Sequence, residues 1–140
     1  MTRKTDSLLF DDFIHQEIKT EETTINLVRR GSGYPVLMLH GYPETHICWH
    51  RVAPILADRF TIVCPDLRGC GDSSKPESDS EHVTYSKRVM PQDQVEVMQC
   101  LGFSEFAVVG HDRGAPLDCG HFLPEEDPER TSAELIRFLS

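Results

Sequence analysis

At 140 residues the chain has the length of one ordinary domain and enough material to bury a real core. Its 14 Lys+Arg against 23 Asp+Glu leave a net charge of −9, which argues against a phosphate backbone or an anionic membrane as the main partner. Small anions held by one local arginine stay within reach. The cysteines, at positions 48, 64, 70, 100 and 119, are odd in number and form no CxxC pair, a usage that suits reduced thiols and a cytoplasmic location. The opening MTRKTDSLLFDDF has only a three-residue apolar run, so a signal peptide, an anchor or a membrane span is not expected.

In chain order, FIHQEIKT (13–20) and TTINLVRR (23–30) alternate as two strands, with Glu21-Glu22 at the turn between them. GSGYP (31–35) punctuates, and VLMLH (36–40) follows as a continuous apolar run, the pattern of a buried central strand. Ile47, Val52, Ile55 and Leu56 have helical spacing, although Pro54 interrupts the middle of that stretch. FTIVC (60–64) is the next strand. The polar stretch from Pro65 to Ser86 reads as a long loop of the kind that lines a site more often than it packs a core.

KRVMPQDQVEVMQCLGF predicts a helix with Met90, Val95, Met98 and Leu101 on its apolar face, Pro91 near its start and Gly102 past its end. FAVVGH (106–111) is a further buried strand. DPERTSAELIRFLS closes the chain as a helix with Leu135, Ile136 and Leu139 on one face. The alternation predicts an α/β fold, a mainly parallel sheet flanked by helices with an antiparallel hairpin at its start. Ligands of such sheets sit at the carboxyl ends of the strands, where His40-Gly41, Asp66 and Asp112 all fall.

Gly110-His111-Asp112-Arg113-Gly114 has the form G-x-nucleophile-x-G after a buried strand, and its glycines permit a sharp turn that lifts the central side chain clear. With Asp112 at the centre, the chemistry is displacement at saturated carbon to give an alkyl ester, which water then hydrolyses. The plainer alternative is an aspartate capping a helix. His40-Gly41-Tyr42-Pro43 follows the earlier strand, where a backbone N–H could complete an oxyanion hole with the N–H of Arg113; otherwise it is a Gly-Pro turn. Asp66 to Ser73 is by itself a Gly-rich loop, and Gly120-His121-Phe122 places a histidine on a loop. His46 and His50 lack the glutamate of HExxH and read as a helix-surface pair, so neither a metal nor a cofactor is expected. Trp49 and Phe60 read as core residues, and His111 as structural.

In this order the pieces HGYPETHICWHRVAPILADRF, VCPDLRGCGDSSKP, LGFSEFAVVGHDRGA and GHFLPEEDPERTSAELIRFL resemble the α/β-hydrolase superfamily. Within it they are most similar to the fluoroacetate (haloacetate) dehalogenases and next to the soluble epoxide hydrolases. The resemblance implies Asp112 as nucleophile, His121 as the base that activates water, and the backbone N–H groups of Tyr42 and Arg113 as the oxyanion hole. It also implies substrate contacts at Arg113, His40 and Gly41. H-D-R-G is the haloacetate form and H-D-W-G the form of many epoxide hydrolases; a guanidinium fork suits a substrate carboxylate, or else makes a surface salt bridge.

The family pattern has a second arginine where Pro116 stands, then further strands, a cap and a catalytic acid. Here HDRGA runs directly into APLDCGHF, which leaves His121 nine residues after Asp112. The expectation is one truncated domain over 1–140, a core over 1–115 joined to a histidine loop and last helix over 116–140, with an internal segment removed. Nine residues span roughly 30 Å when extended, so His121 can reach Asp112. No carboxylate is assigned to orient it; Asp118, Glu125, Glu126 and Asp127 more simply begin the last helix. The expected partner is a small-molecule haloacid or epoxide, with no nucleic acid and no membrane. An open sheet edge offers a route to a homodimer, and an inactive remnant is the competing reading.

Overall fold

Alternating side chains in IHQEIK and TINLVRR produce the hairpin of strands β1 (Ile14–Lys19) and β2 (Thr24–Arg30), in register from Ile14↔Arg29 to Lys19↔Thr24. The turn between them is closed by Thr20 and Thr23, each bonding the other's backbone or hydroxyl. The apolar runs form β3 (Pro35–Leu39), β4 (Thr61–Pro65) and β5 (Ala107–Gly110). The sheet order is β1-β2-β4-β3-β5. β2 pairs antiparallel with β4, and the three apolar strands run parallel to one another; β5 is not the buried strand expected, since among the described residues it has a neighbour on one side only and Val108 is exposed. The computed structural model describes residues 10–41, 45–75, 90–110 and 128–139.

Pro54 splits the expected first helix. A 3-10 turn over His46–Trp49 ends, and a four-residue helix α1 (Ala53–Leu56) restarts with the proline in its first turn, where its missing N–H costs nothing. The second helix α2 (Met90–Cys100) and the last, α3 (Pro128–Leu139), complete the described elements.

Successive strand residues point to opposite faces, and each face has its own core. Val36, Met38, Ile62 and Cys64 pack on one side with Trp49, Val52 and Leu56, and α3 lays Leu135, Ile136 and Leu139 on that cluster as its spacing predicts. Leu37 and Val63 pack on the other side with Ile25, Leu27 and residues Val97 and Met98 of α2. Trp49 and Phe60 are core residues.

The buried face of α2 differs from the expected one. Met98 is buried, but Val95 is exposed, and Asp93, Gln94 and Val97 turn inward. The reason is an ion pair, described below, that draws Asp93 into the protein and fixes the rotation of the helix. An apolar count along the sequence cannot register a buried carboxylate.

Candidate functional site

The parallel strands end side by side. Leu39 is the register partner of Gly110, so the turn beginning His40-Gly41 and the segment beginning at position 111 leave adjacent points of one sheet edge. Neighbouring strands lie about 4.8 Å apart. Of the residues the sequence singled out, His40, Gly41 and Asp66 are described. Tyr42, His111, Asp112, Arg113, Pro116 and His121 lie outside the described residues, as do Asp118, Cys119, Glu125, Glu126 and Asp127.

His40 is buried, and both of its ring nitrogens are engaged. The Leu67 N–H donates to Nε2 at 3.0 Å, which places the ring proton on Nδ1, and Nδ1 donates to the Gly41 carbonyl at 2.9 Å. The ring therefore ties the end of β3 to the chain just beyond β4.

Asp66, the first residue beyond β4, is fully buried and accepts four hydrogen bonds. Oδ1 takes the backbone N–H of His46 at 2.8 Å and its Nδ1–H at 2.7 Å. Oδ2 takes Asn26 Nδ2 at 3.0 Å and the Asp72 N–H at 3.0 Å. The loop returns to this carboxylate so closely that Gly71, at φ +52°, has no room for a Cβ. Burial pushes the Asp66 carboxyl up, but the hydrogen bond and charge of His46 and the two backbone N–H groups outweigh it and hold the group at about 2.

A carboxyl held below its ordinary 3.8 contributes stability that is complete above that value and is lost as pH falls through about 2. The difference corresponds to about 2 kcal/mol. Thermal melts of the wild type and Asp66→Asn are therefore expected to converge between pH 4 and pH 2. A gap that stays constant over that window contradicts the assignment.

This pair corrects two expectations. His46 is 1% exposed, so it is not half of a surface histidine pair; the His50 Nδ1–H donates to the Ile47 carbonyl. The first part of the polar loop packs instead of lining a site, because Asp66, Arg68 and Ser73 are all buried. Arg68 makes a two-pronged contact with Asp93 of α2, Nε to Oδ2 at 2.6 Å and Nη2 to Oδ1 at 2.7 Å. The sequence carries little sign of either pair, since the partners stand 20 and 25 positions apart. The one local hint is the close-set glycines after an acidic strand end.

The four described cysteines form no disulfide with one another. Burial and then the charge of Asp66 push the thiols of Cys64 and Cys70 up, with Lys75 partly opposing at Cys70, so neither supplies a thiolate nucleophile at neutral pH. Among the described residues no cluster of His, Cys, Asp or Glu is arranged to hold a metal, and no helix is long and apolar enough to cross a membrane.

Between α2 and the sheet lies an apolar cavity of about 510 Å³, walled by Leu37, Leu39, Leu67, Phe106 and Val108. The Gln94 side chain faces it, 3% exposed, with neither its amide oxygen nor its nitrogen hydrogen-bonded. A buried unpartnered amide costs about 1–3 kcal/mol. Gln94→Leu is therefore expected to raise the urea midpoint by an amount equivalent to about 1 kcal/mol; a lowered midpoint would show that the amide has a partner.

A mixed five-stranded sheet in this order, with helices on both faces, is the framework of an α/β hydrolase, and the chain belongs to that family. The family of the alpha/beta hydrolase fold matches residues 34–128. A fluoroacetate dehalogenase of Burkholderia sp is 46% identical over 86% of this chain and 39% of its own length. A soluble epoxide hydrolase of Corynebacterium sp. (strain C12) is 39% identical over 74% of the chain and 34% of its own. A candidate α/β hydrolase solved from Nostoc sp PCC 7120 superposes with a TM-score of 0.71 at 55% identity, over 85% of this chain and 40% of that one. The chain thus spans between a third and two fifths of the length of these relatives.

Proposed function

We propose that the chain carries the nucleophile half of a hydrolase of the haloacetate dehalogenase type, which cleaves the carbon–halogen bond of a short haloacid. A carboxylate oxygen of Asp112 attacks the carbon, a C–O bond forms, and the halide leaves with the bonding electrons. Water, deprotonated by His121, then attacks the ester carbonyl; the hydroxyacid departs and the carboxylate is restored. The backbone N–H groups of Tyr42 and Arg113 hold the oxyanion of this second step, and the Arg113 guanidinium holds the substrate carboxylate. Gly41 and the fixed His40 shape the substrate side of the turn. The substrate is a small molecule and the chemistry calls for no cofactor; neither nucleic acid nor a membrane takes part, and the setting is cytoplasmic.

The observation that carries this reading is the register Leu39↔Gly110, which starts the oxyanion turn and the nucleophile segment from neighbouring points. The fluoroacetate dehalogenase relative and the arginine of H-D-R-G favour a haloacid. An epoxide hydrolase is the second reading, favoured by the Corynebacterium relative. Val108 of edge strand β5 is 57% exposed, and a homodimer across that edge would cover it.

Fluoride release from fluoroacetate, followed over time, tests the proposal. Sustained release that Asp112→Asn abolishes is the expected result. A burst of about one fluoride per chain means that Asp112 attacks without completed hydrolysis. A folded chain that releases none is an inactive remnant for this reaction.

A further inference from the structure

β5 is an edge strand, with β3 on one side and, among the described residues, no strand on the other. Proteins blunt such edges with charges or proline, and the opposite edge of this sheet does so: β1 carries Glu17 and Lys19, both exposed. β5 reads Ala-Val-Val-Gly and has neither. Val108 and Gly110 are the register partners of Leu37 and Leu39, so they share with Phe106 the face on which α2 packs. Phe106 and Val108 help to wall the apolar cavity beside α2, and Val108 is 57% exposed. A Cβ added at Gly110 would meet nothing within 4 Å. Along this face the side chains therefore run large, medium, absent.

We propose that β5 pairs antiparallel with β5 of a second copy about a two-fold axis at Val108. An axis perpendicular to the sheet keeps each face continuous only when residues of like parity meet. Centring it on Val108 is the one such register that uses the whole stretch from Phe106 to Gly110. Val108 then lies against its own copy, and Phe106 lies against the partner's Gly110, where the open space accepts the ring. On the other face Ala107 meets the partner's Val109. Large meets small on each side of the axis, so the stretch is complementary to itself when reversed. The arrangement joins two five-stranded sheets into one, closes on itself and leaves the charged β1 strands outermost. It rests on the homodimer reading given above and on nothing in the proposed hydrolysis. The contact is short, so the dimer is weak, half associated at chain concentrations on the order of tens of micromolar. The charge of −9 on each chain opposes it, and added salt is expected to tighten it.

Sedimentation equilibrium of the whole chain tests the arrangement. The wild type is expected to fit a monomer–dimer equilibrium with no larger species. Val108→Lys and Val108→Asp each set like charges opposite one another at the axis, and each should weaken association at least about 10-fold. An equimolar mixture of the two should restore it, because only a residue that faces its own copy brings the new charges together. Ile14→Lys, at a 52% exposed site on β1, should leave association unchanged. Amide exchange of the wild type needs no variant: the outward amides of Ala107–Gly110 should slow as concentration rises, and those of β1 should not. A dimer that survives Val108→Lys, or a mixture that fails to associate, overturns this register while leaving a homodimer in place. A chain still monomeric at ten times the stated concentration, or one that grows into larger oligomers, overturns both. Fluoride release enters none of these readings, so failure of the proposed function is recognised separately.

Discussion

Asp93→Ala is expected to destabilise the chain by about 3–5 kcal/mol, because it leaves one member of a buried ion pair behind. Arg68 and Asp93 are 2% and 1% exposed and meet through two bonds of 2.6 and 2.7 Å. The pair has been taken out of water, and its mutual attraction offsets that desolvation only while both members are present. Removing the carboxylate leaves a buried guanidinium without its two-pronged partner, and Glu22, a further carboxylate at 4.0 Å, is exposed. The double variant Arg68→Met, Asp93→Leu removes both charges and is expected to regain most of the loss. Urea unfolding of the three chains checks this. A single variant within 1 kcal/mol of wild type would mean that solvent reaches the pair.

Gly31→Ala is expected to cost about as much, roughly 3–5 kcal/mol, through backbone geometry. Gly31 sits at φ +103°, where side chains are strained, and an added Cβ would overlap the carbonyl oxygen of Phe60 and lie 2.8 Å from that of Ala57. Both obstacles are backbone atoms of the turn that leads from α1 into β4, so neither can swing aside. Gly102→Ala provides the control. Its φ is +90°, but nothing lies within 4 Å, so only the conformational cost of about 1–2 kcal/mol applies. Equal losses at the two positions would show that the Gly31 contact relaxes freely.

How much of this was legible in the sequence depends on how local its cause is. The hairpin and the packed face of the last helix follow from periodicity and the three apolar strands from their continuous runs, although β5 is less buried than its run implies. Pro54 announced a break and made one. The face of α2 departs from its apolar pattern because Asp93 points inward, held by an arginine in a distant loop. The burial of His46 is invisible to local pattern for the same reason: its partner arrives from the end of another strand. GSGYP was visible as punctuation, while the packing of Gly31 against Phe60 depends on how β3 and β4 meet. Of the candidate site, the strand ends and their adjacency are described. The nucleophile and base were read from motif alone.

The aspartyl ester at Asp112 is the centre of the proposed chemistry, and one single-turnover reaction in heavy-oxygen water tests it. With enzyme in excess over fluoroacetate, the first glycolate should carry ordinary oxygen taken from the enzyme. The heavy atom should appear in the peptide containing Asp112, because water attacks the ester carbonyl. Heavy oxygen in the first glycolate, with none at Asp112, would mean that water displaces the halide directly and would contradict a covalent mechanism.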